Sequence, residues 1–311
     1  MGNIGDILQG AVTLGFIYGL MAVGLFISYR VLDIADLTVD GSFTLGAAVS
    51  AVFTLNGKPF LGLILAVLAG MLAGLVTAFL QTKLKIHPIL AGILTMTGLY
   101  SINLRIMGQP NIALLRKDTI FTPLEGLLGK DLSYLLTAVG MIILVVALIY
   151  LFFKTHLGLS IRATGNNEAM VRSSSINVDV MKMIALAISN GIVALSGASI
   201  AQYQHSADIG MGTGIVIIGL ASLIIGEVIV GRRHLLQSII AVVVGSILYR
   251  IIIAFVLETD IEISDIKLFS ALIIVLSISY PVIVGKLKLV RKRAAGNRPS
   301  SKETGKEQGN A

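Results

Sequence analysis

A chain of 311 residues that is 55% hydrophobic and only 13% charged is excluded from the ordinary soluble domains, in which roughly a quarter of residues are charged. Cysteine is absent, which excludes disulfide staples, thiol catalysis and cysteine-ligated metals. The net charge of +7 does not point to nucleic acid, because eight of the 24 Lys and Arg fall from Lys286 onward, around the run Arg291–Arg293, with no aromatic residues between them. Such a tail suits either anionic lipid headgroups or plain solvation.

In chain order, apolar stretches run over Gly5–Tyr29, Leu37–Leu55, Phe60–Thr82, Ile86–Met107, Leu132–Phe153, Met181–Tyr203, Thr213–Val230, Leu235–Leu257 and Leu268–Val284. Most are about 20 residues, the length a helix needs to cross a hydrocarbon core of about 30 Å. Backbone polar groups in lipid must be satisfied within the segment, so the expected fold is all-α, a polytopic transmembrane helix bundle of about nine spans. Residues 1–286 form the membrane domain and 287–311 a basic tail. The tail is rich in Gly, Ser, Asn, Lys and Glu from Gly296 on and is expected to be disordered. Residues 1–6 lack the positive start of a cleaved signal peptide, so the first helix is expected to stay.

Counting Lys and Arg in the connections sets the orientation. With the tail cytoplasmic, the inner segments hold 17 (among them Arg30, Lys83, Lys85, Lys154, Arg162, Arg172, Arg232 and Arg233) and the outer ones 6, with Arg250 inside a span. The multi-pass chain then sits in the cell membrane with its N-terminus outside. Two spans look irregular, because Asp33–Ser42 and Gly210–Gly214 put polar residues or glycines at the ends of apolar runs. Each reads either as a broken or re-entrant helix or as a frayed end. Gly15/Gly19 and Gly70/Gly74, the latter extended by Ala66, are GxxxG pairs that permit close helix approach.

Charge inside a bilayer is costly and rarely kept without a partner, which singles out Asp40, Glu227 and Arg250. Arg250 can grip a substrate carboxylate with two hydrogen bonds, or else pair with a neighbouring acid or reach outward to the interface. Thr95, Asn190, Ser196, Gln202 and Ser222 are lesser candidates for a translocation path, each equally suited to an interhelical hydrogen bond. No Walker A pattern occurs, so ATP hydrolysis is not expected in this chain. His87, His156, His205 and His234 lie in separate connections without ligand spacing, and neither a metal site nor a cofactor is expected.

The informative connection is Leu157–Arg172 with its continuation to Asp179. Asn166, Asn167 and Glu168 can start a short helix from Ala169 that presents Met170 and Val171, with Arg172, to the cytoplasm. This is a form suited to docking a soluble partner, and also that of an ordinary polar loop.

Residues Gly158–Asp179 resemble the cytoplasmic coupling loop of ABC importer permeases of the branched-chain amino acid and ribose class. Asp36–Ser42, Gly219–Glu227 and Gly245–Arg250 resemble more specifically the subgroup that includes tryptophan and tyrosine import permeases, and the similarity runs in order over nearly all of Gly10–Gly285. The resemblance implies a permease homodimer with a cytoplasmic ATPase subunit on each copy and an extracytoplasmic substrate-binding protein. It places ATPase coupling on Arg162, Ala163, Gly165, Asn167, Glu168, Ala169 and Arg172, and implies an amino acid, by analogy an aromatic one, as substrate. An ion-coupled secondary transporter using Asp40 or Glu227 is the alternative; its inverted repeats would appear as matched broken spans.

Overall fold

The computed structural model describes residues 4–258 and five isolated helical positions between 268 and 279. Apart from those five, the expected ninth span Leu268–Val284 lies outside the described residues, as does the tail 287–311.

Helix α1 (Ile4–Leu25) runs on into a π-helical turn (Phe26–Val31), followed by α2 (Thr38–Leu55), α3 (Pro59–Thr82) and α4 (Pro88–Met107). Prolines open α3 and α4, at a position whose N–H has no intrahelical partner to lose. A short strand β1 (Asn111–Ala113) and α5 (Thr122–Leu128) lead into α6 (Lys130–Lys154), after which α7 (His156–Asn166) and α8 (Glu168–Ser173) form the long polar connection. The chain returns through α9 (Val178–Tyr203), β2 (Ser206–Asp208), α10 (Ile215–Val230) and α11 (Leu235–Glu258).

Among the described residues, seven helices are long and apolar enough to cross a membrane, and α10 is a shorter apolar helix. Of the nine expected spans, seven are such helices, one is the shorter α10, and the ninth falls outside the described residues. Eight of the nine apolar stretches are helices, but the seventh is only 16 residues long, about 24 Å at 1.5 Å per residue. Thr213 and Gly214, which hydropathy adds to it, belong to the turns before the helix, and Gly214 adopts the left-handed conformation (φ 81°) that glycine tolerates.

Helices α1, α2 and α9 form the centre: 78%, 72% and 78% of their most apolar windows are buried, against 33%, 28% and 22% for α3, α4 and α6. The latter three carry long exposed apolar side chains such as Ile64, Leu72, Ile93, Ile143 and Leu151, as helices facing lipid should. Glycines set the central spacing. A Cβ on Gly46 would overlap the carbonyl of Ala194, and one on Gly70 or Gly74 would overlap the α9 backbone, so the second GxxxG pair is a helix contact. Serines lock α1 to α9 and α11: Ser189 donates to the Gly24 carbonyl (2.7 Å), Ser196 to that of Ile17 (2.7 Å) and Ser246 to that of Gly15 (2.9 Å). Each such bond contributes on the order of 0.6 kcal/mol in a membrane protein.

The two ends differ. At one, β1 and β2 pair antiparallel with Ile112 opposite Ala207, beside a cluster in which Phe121 stacks on Tyr134 (4.7 Å) and Tyr203 meets both edge-on. At the other, α7 and α8 lie beside the start of α9. Glu168 pairs with Lys182, and Asp179 pairs with Arg172 (3.6 Å) and Lys83 (3.7 Å), tying the ends of α3, α8 and α9 together.

Candidate translocation site and coupling element

Two helices begin inside the bundle, and an aspartate holds the start of each. Asp36, buried before α2, accepts from the Thr38 N–H (2.9 Å) and from the Asn190 amide (2.7 Å) near the middle of α9, while Ser42 donates to Asn190 Oδ1 (2.7 Å). Asp40, four residues on and one helical turn up α2, accepts from the Gly214 and Val216 N–H groups, both at 2.9 Å. It thereby caps α10, whose first turn has no other acceptor for these donors. A carboxylate is favoured at the positive end of a helix, and interrupted helices at membrane depth are tolerated only where protein or water covers them. Here Gly212, whose N–H donates to Thr44 (3.1 Å), lies so close to Asp40 that a Cβ would overlap its carbonyl oxygen. Both irregular stretches are therefore broken helices rather than frayed ends.

A cavity of about 310 Å³ opens beside this junction, lined by Asp40 and Thr44 of α2, Thr97, Tyr100 and Asn103 of α4, and Thr213. Asn103 is almost fully buried; its amide reaches the Gly41 carbonyl at 3.3 Å, but its Oδ1 has no partner among the described residues. Outward from the cavity, Thr97, Gly98, Ser101 and Arg105 are all exposed on α4. A polar and small-residue stripe is not what a helix presents to lipid.

Of the residues read from sequence as path candidates, Asp40 lines this cavity, and Asn190, outside its lining, holds the start of α2 through Ser42 and Asp36. The others lie elsewhere. Thr95 and Ser222 donate to carbonyls of their own helices, Ala91 and Ile218. Ser196 locks α9 to α1. Gln202 accepts from the Ile120 N–H (2.9 Å) and donates to Ser50 (2.9 Å) and the Pro59 carbonyl (3.2 Å). Glu227 pairs with Arg30 (2.8 Å) and Arg232 (3.6 Å) at the α7–α8 end. Arg250 takes part in no ion pair among the described residues: its guanidinium lies 3.5 Å over the ring of Tyr18, which stacks on Phe43, and its Nε has no hydrogen-bond partner there. Asn103 and Tyr100 were missed, because in the sequence they are unremarkable polar positions within an apolar run.

In the connection between α6 and α9, the expected helix start is present. Asn167 caps α8 by accepting from the Met170 N–H (3.1 Å), and Ala169 and Met170 are exposed. Val171 was expected beside Met170 on the surface; it is buried, because the six-residue helix turns that face onto the bundle. Where the sequence predicts only the start of α8, a second helix, α7, precedes it over His156–Asn166. Thr155 caps it, accepting from the Gly158 N–H (3.3 Å), and Leu157 and Leu159 are exposed on it. Near its end Gly165 packs so tightly that a Cβ would overlap the Val31 carbonyl of the π-helical turn. Six residues separate Val31 from the start of α2 at Thr38, so the polar connection and the junction at Asp36 and Asp40 are joined by one short stretch of backbone.

These features define a membrane-spanning subunit of a transporter. Residues 7–278 match the family described as branched-chain amino acid transport system, permease component, and the chain belongs to that family: it is the non-catalytic permease subunit of an ABC importer. It is 38% identical over 264 residues to the tyrosine transport system permease protein of Clostridioides difficile, covering 85% of this chain and 87% of that one. Over 263 residues it is 36% identical to a Rickettsia prowazekii protein of undescribed function, covering 83% and 92%. With the galactofuranose transporter permease YtfT of Escherichia coli it shares 26% over 234 residues, 72% of this chain and 66% of that one. No solved structure matches significantly. Family membership decides against the ion-coupled alternative, although the two broken helices that kept it open are present.

Proposed function

We propose that the chain forms the translocation path of an amino-acid importer, with tyrosine or a related aromatic amino acid as cargo, in a homodimer served by an ATPase at the α7–α8 end and a binding protein at the β1–β2 end. The cargo follows the Clostridioides difficile relative, which covers most of both chains. The observation that carries the mechanism is the junction of α2 and α10 at Asp40, opening on the exposed polar stripe of α4. In a dimer that stripe faces a second copy or the path itself rather than lipid. Its acceptors, the Asp40 carboxylate and Asn103 Oδ1, suit an ammonium group, and Tyr100 supplies an aromatic wall.

Movement reaches the junction from the ATPase through α7, the π-helical turn and the segment before α2. The α7–α8 end and the tail face the cytoplasm in this reading, on the Lys and Arg count. Cysteines placed at Asn167 and Ser300 are then expected to resist an impermeant thiol reagent in intact cells and to react once cells are opened. Labelling of both in intact cells would reverse the orientation. The native chain has no cysteine to interfere.

The experiment that tests the docking assignment is Ala169→Glu. Ala169 is exposed beside Met170, and a charge buried without a partner in an interface costs several kcal/mol. The variant is expected to insert and dimerise normally yet to lose co-purification with the ATPase by at least about tenfold, which corresponds to about 1.4 kcal/mol. Unchanged association and uptake would remove α8 from the docking surface.

A further inference from the structure

We infer that the α7–α8 end holds a binding site for a phosphate-bearing anion, in the membrane the headgroup of an acidic phospholipid, and that its occupant joins the coupling helix to the α10–α11 hairpin. A cavity of about 360 Å³ lies between the π-helical turn, α7 and the connection from α10 to α11. Arg30, Arg162, Arg232 and Arg233 line it together with Asn166 and His234. Glu227 is the one carboxylate paired with this group among the described residues, to Arg30 and Arg232. Arg162 and Arg233 take part in no ion pair there. Four guanidinium groups against one carboxylate leave three positive charges facing a concavity.

Guanidinium groups match phosphate oxygens with paired hydrogen bonds, and Glu227 fixes two of them in place before any ligand arrives. Phe26, Val31 and Leu235 supply an apolar wall to the same cavity, where the apolar spans of α1 and α11 meet the polar connection. That is the position of a lipid headgroup with its glycerol backbone beneath, and basic residues at a cytoplasmic membrane face each contribute about 1 kcal/mol towards acidic lipid. The cavity lies beside α7 and is lined by neither Ala169 nor Met170, but it shares Arg162 with the coupling positions that the resemblance implies, so an occupant would sit next to the docked ATPase. An occupant would screen repulsion among arginines on three elements and hold α7 against the hairpin. The lipid assignment rests on the cytoplasmic orientation proposed above, whereas the phosphate chemistry does not.

The test uses the full purified chain in phosphatidylcholine bilayers, with phosphatidylglycerol, inorganic phosphate or pyrophosphate added in turn and potassium chloride as an ionic-strength control. Thermal unfolding is read for the wild type, for Arg162→Gln/Arg233→Gln, and for Arg162→Lys/Arg233→Lys. Phosphatidylglycerol is expected to raise the unfolding midpoint of the wild type by about 2–4 °C, to leave the Gln pair unmoved and to act partly on the Lys pair. A shift produced by phosphate or pyrophosphate with the same dependence on these residues would assign the site to a soluble phosphate instead. No shift with any phosphate-bearing probe, a shift matched by potassium chloride, or one retained in full by the Gln pair overturns the site. Loss of ATPase association in the Gln pair with the lipid shift intact would make the cavity a protein-docking surface, which also overturns it. An error in orientation would show in the cysteine labelling alone.

Discussion

Asp40→Ala is expected to lower uptake by at least about tenfold and the unfolding midpoint by several degrees, both measured in proteoliposomes. The side chain accepts two backbone N–H groups of the α10 start, at 2.9 Å each. Removing it leaves two donors inside the bundle with no other acceptor, at about 0.5–2 kcal/mol for a lost cap and more where water cannot reach. The stability loss is the smaller part. Gly212 lies against Asp40 and Thr44, and Thr213 lines the cavity. Once the cap is gone, this loop is free to relax into the space that the path requires. Asp40→Asn keeps one carbonyl acceptor and is expected to fall between wild type and Ala in stability. Its uptake separates two roles: if the carboxylate only caps, Asn recovers most of it, and if the charge receives the ammonium group of the cargo, Asn transports as poorly as Ala. Wild-type uptake by Asp40→Ala would show that the junction is not part of the path.

The helices were legible because lipid imposes a simple rule on composition, and the observed bounds of α1, α2, α3, α4, α6, α9 and α11 fall within a few residues of the apolar stretches. The rule fails where a helix starts within protein. Nothing in the composition of Thr213–Val230 says that its first residues are turns; the signal lies mostly just before it, in the three glycines of Gly210–Gly214, and is equally compatible with fraying. The π-helical turn Phe26–Val31 has no sequence signature, since its form depends on what it packs against. For α7 the signal was weak for a physical reason: Gly158, Gly165, Ser160 and Thr164 are poor helix formers, kept where close packing and a cap offset their propensity.

For the site, the sequence marked the segment that holds the start of α2 but not how its charges are paired. Asp36 and Asp40 both lay in one motif, but the interior charge rule drew attention to Asp40, Glu227 and Arg250 alike, because it knows nothing of partners. Pairing decides between them: Asp40 holds a helix start, Glu227 organises arginines at the end of the bundle, and Arg250 is spread over Tyr18. The bond from Asn190 to Asp36 spans 154 residues of chain, a separation that no local pattern encodes.

Gly165→Val is expected to disconnect coupling while leaving the bundle intact. The place for its side chain is already taken by the Val31 carbonyl oxygen and the Leu32 backbone, neither of which can turn aside as the end of a flexible side chain could. Overpacking of this kind costs about 1–3 kcal/mol, and the cheapest relief is for α7 to lift from the π-helical turn, since α7 is a short helix at the edge of the fold whereas that turn continues α1. The force path from the ATPase to Asp36 and Asp40 is then broken at its tightest contact. Uptake should fall by about 5- to 150-fold, the range those energies correspond to, with ATP hydrolysis by the partner no longer stimulated by cargo. Gly165→Ala still overlaps the carbonyl and is expected to show a smaller loss of the same kind. Gly140→Ala, which adds a methyl group where nothing lies within 4 Å, should transport like wild type and controls for insertion. Stimulated hydrolysis and normal uptake by Gly165→Val would place the transmission elsewhere, and the ion pairs joining α8 to α3 and α9 through Asp179 and Lys182 would become the next contact to break.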